Sequence, residues 1–231
     1  MSNFDSGGGP ENEWDERGDL VWNEFDWERY LREQDETVRR YLTYYEAFKG
    51  NPDRIDEVAE LMGWGQDEWT EEEEVEETET AKTEETESSD FKEDEGVYTL
   101  HKNPIFVATK AISLSLKARW EQKAGDHGKV PQSLALAFLA SLHRQEEYAI
   151  HAIHALDFGD YAMAVSLFKR ALSALNGSLA LLNHENATKF RAVAAYRDDA
   201  LPRLFDLREI WLRVMTECRD ELERPTDEES P

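Results

Sequence analysis

The chain has 231 residues, with 51 Asp or Glu against 26 Lys or Arg, so it carries a net charge of −25 and a sequence pI near 4.5. That length allows one domain, or one domain with a smaller module and tails. Its 40 % hydrophobic content falls below the ~45–50 % of a typical globular chain, so part of it is expected outside any packed core.

Dividing the charge excludes more than the total does. Residues 1–66 carry 17 acidic and 7 basic side chains, residues 67–95 carry 16 and 2, residues 96–224 carry 15 and 17, and the end of the chain adds −3. The acidity belongs to the front. A salt-adapted protein would spread it over every surface, and nucleic-acid phosphates need clustered Lys and Arg, so neither reading fits. No stretch approaches the ~18 apolar residues of a membrane span, and Met1–Pro10 lacks the basic and apolar regions of a secretory signal. The expectation is a soluble cytoplasmic protein with a basic protein as partner, no nucleic acid, no membrane and no cofactor, and with homo-oligomerisation left open. The single cysteine, Cys218, excludes an internal disulfide and reads as a core residue.

In chain order, residues 1–20 read as a disordered tail. Residues 21–66 read as an acidic, aromatic helical hairpin. Trp27, Leu31, Val38, Tyr41, Tyr45 and Phe48 recur at spacings of three, four or seven, which puts one apolar stripe on a helix of about six turns. Gly50 ends that helix, with Asn51 as cap and Pro52 as first residue of a shorter one bearing Ile55, Val58, Ala59 and Met62. Five of the seven tryptophans (Trp14, Trp22, Trp27, Trp64, Trp69) lie within the first 69 residues. Acidic residues keep such aromatics soluble until a groove accepts them, so Trp22, Trp27, Tyr30, Tyr41 and Tyr45 are candidate partner-binding residues. Residues 67–99 read as a disordered acidic linker, because EEEEVEETETAKTEETESSD repels itself and has almost nothing to bury.

Residues 100–224 read as a bundle of four or five helices, followed by a disordered tail at 225–231, so the fold class is all-α. Asn103-Pro104 opens the first helix, with Ile105, Ala108, Ile112 and Leu116 on one side. Pro131 opens the second, with Phe138, Leu142, Ala149, Ile153 and Leu156. Gly159-Asp160 makes the turn into a third, where Tyr161, Val165, Phe168, Leu172, Leu175, Leu179 and Leu182 alternate at four and three residues. A fourth begins near Asn186 and meets Pro202, which is expected to kink or split it. Its last part carries Leu204, Leu207, Trp211, Val214, Cys218 and Leu222. Arg191, Arg197, Arg203, Arg208, Arg213 and Arg219 run along these final helices, and Arg197 and Arg208 are taken as candidate contacts for the acidic hairpin.

The stretch YAIHAIHALDFGDYAMAVSLFKRALSALN resembles a tetratricopeptide repeat. Tyr148 and Ala152 match the first helix of that family, and Gly159, Tyr161, Ala164, Phe168 and Ala171 match its turn and second helix. Asn176 stands where the family has proline, and the flanking 34-residue windows do not repeat the pattern. Repeat units need about three copies to bury a continuous core, so the resemblance implies one repeat-like hairpin inside a bundle.

His143, Glu147, His151 and His154 recur at four, four and three, the best metal-ligand spacing in the chain. On a helical wheel they fall opposite the apolar residues, which favours a surface face without metal, and no Glu-x-x-His pair supports a di-iron site. Arg144 and His151 fit an Arg-x6-His ribonuclease spacing with nothing beside it. No phosphate loop or nucleophile frame is present, and the neighbours Asp198 and Asp199 point to different sides of a helix. The leading expectation is a non-enzymatic interaction or adaptor protein, whose hairpin docks on its own bundle or on a basic partner. The alternative is a small helical metal-binding protein or enzyme using the His143–His154 face, which metal analysis of the purified chain discriminates.

Overall fold

The computed structural model describes residues 23–64, 102–126 and 128–224. The two expected tails, the whole of the expected linker at 67–99, and Trp22 lie outside those residues. Within them every regular element is a helix, and no helix is long and apolar enough to cross a membrane.

Helix α1 spans Glu24–Ala47. Asn23 starts it by accepting from the Phe25 and Asp26 amides, while the Asp26 carboxylate accepts from the Asn23 amide, so three otherwise orphaned donors at the N-terminus are satisfied. Helix α2 spans Arg54–Leu61, two residues later than Asn51-Pro52 suggests. The Asn51 side chain accepts from the Asp53 amide at 2.9 Å and so shapes the turn rather than the helix start. Gly63, at φ +80°, closes α2 in the left-handed region that a side chain would resist.

The remaining helices are α3 (Pro104–Ala124), α4 (Gln132–Asp157), α5 (Tyr161–Asn183), a single turn α6 (Glu185–Thr188) and α7 (Arg191–Glu223). Asn103 caps α3 by accepting from Phe106, and Asp160 caps α5 by accepting from Met163. Gly159, at φ +71°, reverses the chain between α4 and α5, the hairpin likened above to a tetratricopeptide repeat. Helix α4 packs along α5 and α3, α5 along α7, α3 along α7, and α1 along α3. Trp120, Phe138 and Tyr196 bring α3, α4 and α7 together, with ring centroids 4.6–5.6 Å apart. The Trp120 indole donates to the Ala135 carbonyl and the Tyr196 hydroxyl to the Leu116 carbonyl, so these aromatics bury their rings without stranding a polar atom.

Two sequence expectations need correction here. Pro202 neither ends nor divides α7, which runs through it for 33 residues. Buried side chains on both sides of the proline (Tyr196, Ala200, Leu204, Leu207) fix the two halves on the same core, and this packing outweighs the ~3 kcal/mol that an interior proline costs. The buried face of α5 is also rotated from the expected seam. Val165, Phe168, Leu175 and Leu182 of that seam are buried, but Ala164, Ala171 and Ser178 are buried with them while Tyr161, Leu172 and Leu179 are only half-buried, because the small residues admit α4 at close range.

Candidate interaction site

The most heavily charged contact in the described chain lies where α1 and α2 meet α3 and α7. Val38, Tyr41 and Tyr45 occupy one face of α1 and are buried, and the Tyr41 ring stacks on Trp64 at 5.6 Å and on Tyr45 at 6.1 Å. Beside them Glu46 receives Arg203 at 2.8 Å on both carboxylate oxygens, Arg119 at 2.8 Å and the Ser115 hydroxyl at 3.0 Å. Asp199 gathers Arg203 at 3.0 Å, Arg119 at 3.1 Å and Lys49 at 2.5 Å. From the hairpin's other arm, Arg54 donates to Asp206, which also accepts from the Tyr45 hydroxyl, and the guanidinium of Arg54 lies 4.9 Å from the Tyr45 ring centroid. Arg213 and Asp56 pair at the outer edge.

Burial decides how these pairs behave. Arg203 is only 1 % exposed and Arg54 is buried, so each charge depends on its carboxylates; removing one partner of such a pair leaves a charge that neither water nor protein solvates. Burial by itself would raise the Glu46 carboxyl, but its hydrogen bonds and charges from Arg203, Ser115 and Arg119 outweigh that and hold it below the ordinary carboxylate value. Asp199 is held low in the same way by Lys49, Arg203 and Arg119 against its own desolvation. Loss of water and the neighbouring Asp206 push the Tyr45 hydroxyl far up, so it stays a proton donor. Every carboxylate of this cluster is engaged by a cation, and the chemistry it performs is attraction between the hairpin and the core.

The residues singled out from the sequence are divided by this geometry. Tyr41 and Tyr45 lie in the hairpin–core contact. Trp27 is 50 % exposed and meets the half-buried Tyr30 edge to face at 5.9 Å, near the start of α1. Arg208 is exposed, and Arg197 pairs only with its neighbour Asp198, so the arginines that receive the hairpin are Arg203 and Arg213 of α7 with Arg119 of α3. One signal for Arg203 was in the sequence. It falls in the same stripe as Tyr196, Ala200, Leu207 and Trp211, and a guanidinium inside an apolar stripe requires a carboxylate partner. Nothing local marks Glu46 as that partner. His143, Glu147 and His151 are exposed and His154 is half-buried; among the described residues no group of three or more His, Cys, Asp or Glu is placed to hold a metal ion. Glu146, next to Glu147, is buried at 5 % exposure between Lys110 and Lys117, which tie α4 to α3.

No protein-family model, no curated protein and no solved structure matches this chain.

Proposed function

We propose that this is an interaction or adaptor protein in which a helical bundle at residues 100–224 carries a hairpin that serves two purposes. The rear half of α1 and all of α2 clamp the hairpin to the bundle in cis. The front half of α1 is the surface offered to a partner with a basic binding site. One observation carries this reading, the contrast between the two halves of a single helix. From Val38 onward the apolar stripe of α1 is buried, whereas before it Phe25 is 73 % and Leu31 49 % exposed, among Glu24, Asp26, Glu28, Glu33, Asp35 and Glu36. Large apolar side chains held in water by surrounding carboxylates suit a partner that supplies an apolar groove rimmed by cations, with charge setting the rate of encounter and the buried side chains setting the lifetime.

The experiment uses the intact chain as bait in a native extract beside a Phe25→Ser/Leu31→Ser variant. Capture of a protein with a basic binding face by the wild type, lost in the variant while its thermal melt is unchanged, is the expected result. Equal capture by both chains would overturn the reading.

A further inference from the structure

A groove with the matching chemistry is present in the same molecule. Helices α4 and α5 enclose an open trough of about 840 Å³ along their shared face. The Ser141 hydroxyl stands 2.7 Å from the Ser178 hydroxyl and fixes the register of the two antiparallel helices, so Ala140, Ser141, Ala174 and Gly177 form a floor without a large side chain. At one end Arg170 lies over the Tyr148 ring at 6.0 Å, and Arg144 follows one turn inward.

No carboxylate lines this trough, and among the described residues neither Arg144 nor Arg170 has an ion-pair partner. Exposed arginines elsewhere divide between those held by a neighbouring acid, such as Arg29, Arg32 and Arg213, and those without an ion pair, such as Arg208; Arg144 and Arg170 are of the second kind and share one groove. Two uncompensated guanidinium groups at the mouth of a small-residue groove fit an acidic helix carrying a few large apolar side chains.

The front half of α1 is such a helix. From Phe25 to Glu36 it spans ~16 Å, within the ~16–21 Å of the trough's walls, which run from Ala137 to Tyr148 and from Arg170 to His184. In its own chain α1 packs on α3 and is anchored by Glu46, while the trough belongs to α4 and α5. We infer that the front half of α1 from one copy seats in the α4–α5 trough of a second copy, with Trp27 and Leu31, one turn apart on the same face, over the small-residue floor and the flanking α1 carboxylates against Arg144 and Arg170. This rests on the reading of the front half of α1 as an interaction surface, and it names the basic partner as another copy of the chain. Exchange in both directions closes a two-fold dimer.

Sedimentation velocity of the full chain between 1 and 100 μM tests it, with circular dichroism to verify folding. The wild type is expected to dimerise. Gly177→Trp fills the trough at a position where an added Cβ meets nothing within 4 Å, so it is expected to fold and to weaken the dimer at least about tenfold. Arg144→Glu/Arg170→Glu and, separately, Glu28→Arg/Asp35→Arg are expected to be monomeric alone and to form a heterodimer when mixed. A monomeric wild type overturns the inference, and it does so without touching the proposed function if Phe25→Ser/Leu31→Ser still abolishes capture of another protein. A dimer indifferent to Gly177→Trp, or one that survives Trp27→Ser/Leu31→Ser, overturns it as well, since the trough or α1 would then not form the contact.

Discussion

Glu46 and Arg203 illustrate how much one pair can carry when a guanidinium is sealed from water. With both oxygens of Glu46 on Arg203, Glu46→Gln keeps the shape and removes the charge, so it is expected to destabilise the chain by about 1–3 kcal/mol at pH 7, less than for a pair left wholly unmatched because Asp199 still engages Arg203. The pH dependence has a definite sign. A carboxyl held low in the folded state contributes its stability above the unfolded value, and that contribution is lost as pH falls through the lower folded value. Urea melts of the wild type and Glu46→Gln should therefore differ fully at pH 6–7, begin to converge at about pH 4, near the unfolded carboxylate range, and come together only once the pH lies below the lower folded value. A constant difference across that window would mean that the substitution acts through packing. Cys218 gives a second residue-level test. Burial pushes its thiol up to about 11 and places it against the core, so a thiol reagent at pH 8 should leave it unmodified in the native chain and label it on addition of denaturant.

Among the elements, α5 packs along both α4 and α7, as does α3, which also receives α1. Phe168 is fully buried near the middle of α5, and Phe168→Ala is expected to cost ~3–5 kcal/mol, measured as the shift in the urea midpoint at constant slope. A loss below ~1 kcal/mol would mean that the neighbouring helices collapse onto the vacated space. Helix α1 behaves differently along its length. Tyr41→Ala removes a buried ring stacked on Trp64 and should destabilise by a comparable ~3 kcal/mol, whereas Leu31→Ala, at a half-exposed position, should cost less than ~1 kcal/mol. That asymmetry in thermal melts would separate the half of the helix that builds the fold from the half that stays in water.

At the level of the whole molecule, the hairpin and the core are joined by more than the peptide chain. A protease site introduced between residues 65 and 101 and cut in the folded protein is expected to yield two fragments that co-elute at pH 7 even in 0.5 M salt, a condition of roughly 4 Å Debye length that screens exposed pairs but reaches buried ones little. The same nicked protein with Arg203→Ala should separate on the column. Co-elution of the variant would mean that Val38, Tyr41, Tyr45 and Val58 hold the hairpin without help from the charges.

The sequence by itself determined the helical class and most helix ends, since the apolar period, the capping Asn103 and Asp160, and Gly63 and Gly159 at positive φ act within a few residues of where they stand. It also determined that the front of the chain is acidic and aromatic. The split it suggested at Pro202 does not occur, because a local backbone penalty of ~3 kcal/mol is visible in the sequence whereas the buried side chains that override it are spread along α7 and its neighbours. The tertiary structure alone decided which arginine meets which acid. Glu46 and Arg203 are 157 positions apart, and of the six arginines along the last helices the sequence pointed to Arg197 and Arg208, whereas packing buried Arg203, left Arg208 in water and set Arg197 beside Asp198. It alone also formed the trough with Arg144 and Arg170 at one end, because those two residues, on different helices, become neighbours only once Gly159 has turned α5 back along α4 and Ser141 has met Ser178.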